Sequence, residues 1–358
     1  ANYSNMAKLI ARLVASCFCL PGTRGINNGT SLRSAGLVID TDLGFDDLIA
    51  IKSYASLRTK PDINIITTVQ GINDPADAAI CLRQLFPSTV VACGGFSKKS
   101  RSLTLPEWLI DYKKDFKQFT EKNMLDDRSI TSEEEGKKKC SDSTEKKLIK
   151  VLEGHQDNSV DLICLGPLTN VANWLRVPTT ENLMATKLKE IWIMGGNDVA
   201  ENANVHRPEF NFKQDPSAAN EVLTNSKIAD KIRVVTEQIS SPQNAPDGLF
   251  EFMKTKHGAG NGILSKVVHR WPEEIFFDPV CVFSYSNPGH IELRKVSFRI
   301  DPESGLLSSG KGDAKAQTND HTVDFVTYVP IEGKNGLTSW INEAIEKDEL
   351  QEQNDATS

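Results

Sequence analysis

The stretch Leu37-Val38-Ile39-Asp40-Thr41-Asp42-Leu43-Gly44-Phe45-Asp46-Asp47 constrains this chain more than any other. An apolar run of β-forming residues reads as a buried strand, and Leu48, Ile49, Ile51, Tyr54 and Leu57 follow at helical spacing. The acids therefore sit on the turn at the carboxyl end of a strand, where open α/β sheets place their active sites. Crowded carboxylates repel each other, and burying them without compensation costs several kcal/mol. A hard cation relieves that conflict, and Gly44 lets the backbone turn sharply enough for non-adjacent acids to converge. The plainer reading is a solvated turn in which Asp46 and Asp47 favour the positive end of the next helix.

Strand and helix signals then alternate. Ile63–Val69, Thr89–Cys93, Val160–Leu165, Glu190–Met194 and Ile232–Thr236 read as strands, with helical spacing over Pro75–Phe86 and Thr144–Leu152. This order predicts an α/β fold with a Rossmann-like, open, mostly parallel central sheet flanked by helices. Residues 1–34, rich in Gly, Asn, Ser and Thr after a short apolar patch, are expected to be an extension. The catalytic domain is expected over 35–345, and 346–358 reads as a polar tail. A charged segment at about 97–147, with Glu133-Glu134-Glu135 and Lys137-Lys138-Lys139, reads as a solvated insertion. Within it Trp108, in Leu105-Pro106-Glu107-Trp108-Leu109, reads as a packing anchor. Gly195-Gly196 lacks the spacing of a dinucleotide or P-loop motif and is expected to permit close backbone packing.

With 358 residues the chain can bury a large core, and its net charge of -7 and pI near 5.5 argue against a nucleic-acid partner. No stretch is long enough to span a bilayer, so a membrane partner is not expected. The cysteines at 17, 19, 81, 93, 140, 164 and 281 form no CxxC pair and read as buried free thiols. That favours a cytoplasmic location. Lys8 and Arg12 ahead of the apolar residues 13–20 resemble a signal peptide and keep secretion open.

Two further polar clusters stand out. Asn202-Ala203-Asn204, Glu209-Phe210-Asn211 and Asp215-Pro216 group donors and acceptors suited to sugar hydroxyls, with Asp215 expected to cap the next helix. Asp278 lies in the apolar run Ile275–Phe283, where a lone carboxylate needs a partner; a cation shared with the first cluster would supply it.

Taken in order, Asp40–Asp47, Leu165-Gly166-Pro167-Leu168-Thr169-Asn170, Met194-Gly195-Gly196, Glu209-Phe210-Asn211 with Asp215-Pro216, and Asp278-Pro279 resemble the nucleoside hydrolase family over residues 37–345. The resemblance implies Ca²⁺-dependent hydrolysis of the N-glycosidic bond of ribonucleosides. It implies that Asp42, Asp47, Asp278 and the Leu165 carbonyl hold Ca²⁺ and that Asp42 is also the general base. Asp46, Asn204, Glu209, Asn211 and Asp278 would hold the ribose, and Asp40 would orient the loop from behind. Two positions depart from the family pattern. Gly71 is followed by Ile72 before Asn73, and Phe277 stands where many members carry a His that protonates the departing base. An aromatic residue there, with a Trp in a loop similar to that of Trp108, is found in purine-specific members, so a purine stacked between Phe277 and Trp108 is expected; Trp271 is the alternative partner. The implied partner is a ribonucleoside, with a homo-oligomer left open. Two rival readings remain: a haloacid-dehalogenase-like phosphatase using Asp40 and Asp42, and a nucleoside-binding protein without turnover.

Overall fold

Leu37 and Ile39 of the first strand, β1 (Gly36–Thr41), point into one apolar core and Val38 into another, because successive side chains leave a strand on opposite faces. A strand that is apolar on both sides must be covered on both sides. The computed structural model describes residues 36–56, 61–96, 107–123, 144–199, 207–258, 260–310 and 321–355, with the side chain of Trp108 left out. The other strands are β2 (Ile63–Thr68), β3 (Val90–Cys93), β4 (Val160–Cys164), β5 (Leu188–Met194), β6 (Ile232–Val235), β7 (Glu292–Ile300), β8 (Leu307–Ser309) and β9 (His321–Tyr328). Among the described residues they form one nine-stranded sheet in the order β3-β2-β1-β4-β5-β6-β9-β7-β8.

Pairing is parallel from β3 through to β9, and β7 then pairs antiparallel with both β9 and β8. The central sheet is therefore mostly parallel, as expected, with an antiparallel edge that the strand signals had not revealed. The chain moves outward from β1 through β2 to β3 and then returns to place β4 on the other side of β1. That reversal opens a crevice beyond the carboxyl ends of β1 and β4, the usual place for a ligand in an open α/β sheet.

The helices, in chain order, are α1 (Phe45–Ala55), α2 (Pro75–Leu85), α3 (Glu107–Asn123), α4 (Thr144–Glu153), α5 (Thr169–Leu175), α6 (Pro178–Lys187), α7 (Phe210–Gln214), α8 (Pro216–Thr224), α9 (Glu237–Ser240), α10 (Leu249–His257), α11 (Ile263–Arg270), α12 (Asp278–Ser286) and α13 (Leu337–Asp355). One core packs α1, α2, α3 and α10 to α13 on one face of the sheet; the other packs α4 to α8 on the opposite face.

Three expectations change. The segment at 97–147 is not simply a solvated insertion, because α3 buries Leu109, Phe116 and Phe119. Phe45 of α1 meets Phe116 and Phe119 at ring separations of 5.0 and 5.6 Å. The stretch read as a polar tail continues α13 to Asp355, and its buried Asp348 pairs with Lys52 at 2.5 Å and accepts from the Leu264 amide at 2.9 Å. Cys81, Cys164 and Cys281 are free and buried, but Cys93 is disulfide-bonded, so the thiols no longer argue for a reducing compartment. No described helix is long and apolar enough to cross a membrane.

Candidate active site

The acidic turn is built by its own side chains. Thr41 donates its hydroxyl to Asp47 Oδ1 and accepts from the Leu43 amide at 3.1 Å, while the Gly44 amide donates to Asp47 Oδ2 at 2.7 Å. Leu43 takes a positive φ of 53°, uncommon for a residue with a Cβ. Asp42 is held from the other side by the Ile72 amide at 2.6 Å, and Gly71 passes so close to this carboxylate that no Cβ would fit. Asn73 turns its side-chain amide to the Leu43 carbonyl and its backbone amide to that of Asp42 at 3.2 Å. At the Gly71-Ile72 departure the contact to Asp42 is therefore made by backbone.

Elements across the crevice close the site. Phe277 precedes α12 with φ 57° and ψ -106°, a strained conformation for an aromatic residue, fixed by its amide donating to the Ser240 carbonyl at 2.8 Å. It sets Asp278, the first residue of α12, against the acidic turn, where carboxylate oxygens of Asp46, Asp47 and Asp278 lie within 4.8 Å of one another. Glu209 caps α7, accepting from the amides of Asn211 at 2.7 Å, Phe212 at 3.2 Å and Gly196 at 2.9 Å. Gly196, with φ 77°, and Gly195 pack tightly against the Phe212 ring, the close packing expected of this pair. Asn211 donates its amide nitrogen to the carbonyls of Leu165 at 2.9 Å and Met194 at 3.2 Å, which leaves its oxygen for a ligand.

Together these groups line a cleft of about 350 Å³. Its wall includes Phe277, Tyr112 of α3 and Glu274 from a 3-10 turn (Pro272–Ile275), and its mouth carries Arg207 paired with Glu237 at 2.5 Å.

The sequence profile of the inosine-uridine preferring nucleoside hydrolases matches residues 37–351. The chain belongs to the nucleoside hydrolase family. Nucleoside hydrolases are N-glycosyl hydrolases that cleave ribonucleosides. Solved structures of the family share the fold. A plant nucleoside hydrolase superposes with a TM-score of 0.63 at 20% identity, covering 87% of this chain and 99% of its own. An inosine-guanosine nucleoside hydrolase gives 0.65 at 18% identity, covering 88% and 98%. The purine-preferring ribonucleoside hydrolase from Gardnerella vaginalis gives 0.63 at 17% identity, again covering 88% and 98%. A comparison with curated proteins returns no match.

In this nucleoside hydrolase the clustered acids are strongly perturbed. Burial raises the pKa of Asp42, Asp46, Asp47 and Asp278, and their mutual repulsion adds to the rise for Asp42, Asp46 and Asp278. Burial also pushes Glu209 up to about 7 despite its three amide bonds, and Glu274 to about 7. Half-buried Lys113 on α3 feels Asp42, but burial lowers its own pKa. Hard oxygen donors that stay crowded and mostly unneutralised are suited to a divalent cation. The acidic cluster can hold a metal ion.

Of the residues singled out in the sequence, Asp42, Asp46, Asp47, Leu165, Glu209, Asn211, Phe277 and Asp278 all line the cleft. Asn204 and the Trp108 side chain lie outside what the structure describes. Asp215 caps α8 through the Ala218 amide at 3.2 Å and accepts from the Thr169 hydroxyl at 2.7 Å, as its capping role requires. Trp271 stacks on Phe45 at 3.8 Å instead of lining the cleft. Asp40 is fully buried, with its Oδ1 accepting from the Thr67 hydroxyl at 2.5 Å and the Asn170 amide at 2.7 Å, and it does not line the cleft, which speaks against the phosphatase reading. Tyr112 and Glu274 were missed. The signals were a helical spacing of Leu109, Tyr112, Phe116 and Phe119 inside a charged segment, and an acid one turn before Phe277.

Proposed function

We propose that this nucleoside hydrolase is Ca²⁺-dependent and prefers purine ribonucleosides. The observation that carries the reading is the convergence of Asp42, Asp47, Asp278, Leu165, Glu209 and Asn211 on one cleft, with the Asn211 amide donating to the Leu165 carbonyl. Asp42, Asp47, Asp278 and the Leu165 carbonyl would hold Ca²⁺. Bound there, the ion would offset the repulsion of the acids and would supply a Lewis acid to water and the ribose diol. Asp42, anchored through one oxygen by the Ile72 amide, takes a proton from the attacking water. The water oxygen forms the new bond at C1′ as the N-glycosidic bond breaks, with its electron pair leaving on the base. Positive charge builds on the ribose as in other glycoside cleavage, and the buried carboxylates face it. Asp46, Glu209, Asn211 and Asp278 hold the hydroxyls, with Asn204 a further ribose contact.

Purine preference rests on Phe277, which presents its ring to the cleft, and on stacking with Trp108 worth about 1 kcal/mol. Two similar structures are an inosine-guanosine and a purine-preferring enzyme, while the matching profile and a third structure, from Bacillus anthracis, are inosine-uridine preferring, so the base panel is the deciding test. The test is release of free base from inosine, guanosine, adenosine, uridine and cytidine with Ca²⁺ present, compared by kcat/KM and repeated with Trp108→Ala. Purines cleaved faster, and slowed in the variant, support the reading. Equal or faster uridine cleavage refutes the preference, and tight nucleoside binding without base release would favour a binding protein.

A further inference from the structure

The amino terminus of α1 is capped partly by its own Asp46 and Asp47 and partly from distant segments. Gly44 stands at the N-cap and has no side chain to offer, so the first amides of the helix need other acceptors. The Phe45 amide donates to the Tyr112 hydroxyl oxygen at 2.7 Å, and the Asp46 amide lies near enough to Glu274 to favour its ionised form. The Tyr112 hydroxyl in turn donates to Glu274 Oε2 at 3.2 Å, and its ring meets Phe45 edge-on at 5.3 Å. Two groups from distant segments are thereby fixed beside Asp46, and both face the cleft.

Their position has a consequence for the ligand. A Cβ built on Gly44 would lie 2.6 Å from Asp46 Oδ1 and 3.0 Å from the Tyr112 hydroxyl. The two oxygens thus flank the same bare backbone, close enough for a single hydroxyl between them to reach both at ordinary hydrogen-bond lengths. A hydroxyl that donates its proton to the Asp46 carboxylate still has lone pairs to accept one from Tyr112. The short bond from the Phe45 amide fixes the phenol oxygen, while the longer bond to Glu274 leaves its proton available to a better-placed acceptor.

We propose that the Tyr112 hydroxyl, positioned by Glu274, contacts the ribose hydroxyl taken by Asp46 and so discriminates ribonucleosides from deoxyribonucleosides. This rests on the reading in which Asp46 holds a ribose hydroxyl. A substrate that lacks this hydroxyl leaves both partners unsatisfied, and sites built around a hydroxyl reject such analogues strongly. Glu274 acts through Tyr112 and is a positioning residue.

The experiment compares kcat/KM of wild-type, Tyr112→Phe and Glu274→Gln proteins on a ribonucleoside and on its 2′-deoxy and 3′-deoxy analogues, with Ca²⁺ present. Tyr112→Phe is expected to lower kcat/KM for the ribonucleoside by about tenfold. One deoxy analogue, the one missing the shared hydroxyl, should keep its wild-type value, so discrimination against it shrinks by the same factor. Glu274→Gln, which can turn its NH₂ group toward Tyr112 in place of a carboxylate oxygen, loosens the phenol and should raise KM for the ribonucleoside more than it lowers kcat, again sparing that analogue. Equal losses on all three substrates would reduce Tyr112 to a helix cap and overturn the inference, as would an unchanged ribonucleoside rate in Tyr112→Phe. If Tyr112→Phe fails to fold, Glu274→Gln decides by the same comparison. A wild-type protein that releases no base from any of them contradicts the hydrolase reading itself, and this inference with it.

Discussion

At the scale of single residues, Asp42 has two opposed roles in the proposed mechanism. Its carboxylate lines the cleft, where it would act as the base, yet it adds charge to a buried group of acids that already repel one another. Asp42→Asn should therefore lower kcat by about 10²-fold or more, while the metal-free protein melts at the same or a higher temperature. Steady-state rates and thermal melts in chelator check both halves; near-normal turnover would remove Asp42 from its role. Burial pushes Glu209 up to about 7 as well, but three backbone amides converge on its carboxylate oxygens and need acceptors there. Glu209→Gln turns an amide NH₂ toward one of these donors and should destabilise the fold by about 1–2 kcal/mol, read as a lower melting temperature. Asp42, Glu209 and Asp278 were legible in the sequence because each sits in a short local pattern that its chemistry requires. Tyr112 and Glu274 were not, because they lie against the amides of Phe45 and Asp46, and only tertiary packing brings these segments together.

At the scale of elements, α3 links the charged segment to the site. Its apolar face packs on Phe45, and Phe45 is sandwiched by Trp271, which in turn lies under the Arg270 guanidinium at 4.4 Å. Removing the buried Phe116 ring should cost about 3 kcal/mol and loosen α3. Phe116→Ala is expected to raise KM about tenfold with a smaller change in kcat, because Tyr112 moves while the acidic turn stays on β1 and α1. A variant with unchanged KM would detach α3 from the site. The parallel strands were legible as apolar runs buried on both faces. The antiparallel edge was not: β7 reads Glu292-Leu293-Arg294-Lys295 at its start, with Leu293 exposed, and offers no clear alternation to mark it as a strand.

At the scale of the whole molecule, burial of the site's acids sets the pH response. Glu209 and Glu274 rise from 4.5 and Asp40 from 3.8, each to about 7, so between those limits the folded protein binds protons that the unfolded chain has released. Stability of the metal-free protein should therefore fall as pH rises through this window, the reverse of a salt-bridged carboxylate. Ca²⁺ bound only by the folded state should raise the melting temperature, by more at the upper end of the window, where the acids it neutralises are ionised. Melts in chelator and in Ca²⁺ across the window check this; stability that climbs with pH in chelator would contradict it.

The most direct measurement is the release of ribose and free base from inosine by the full chain, first after exhaustive chelation and then as Ca²⁺ is returned stepwise. Equimolar ribose and hypoxanthine, absent in chelator and restored by Ca²⁺, is the expected result. Base release that survives complete chelation, or none at any Ca²⁺ concentration from inosine or any other ribonucleoside, would contradict it.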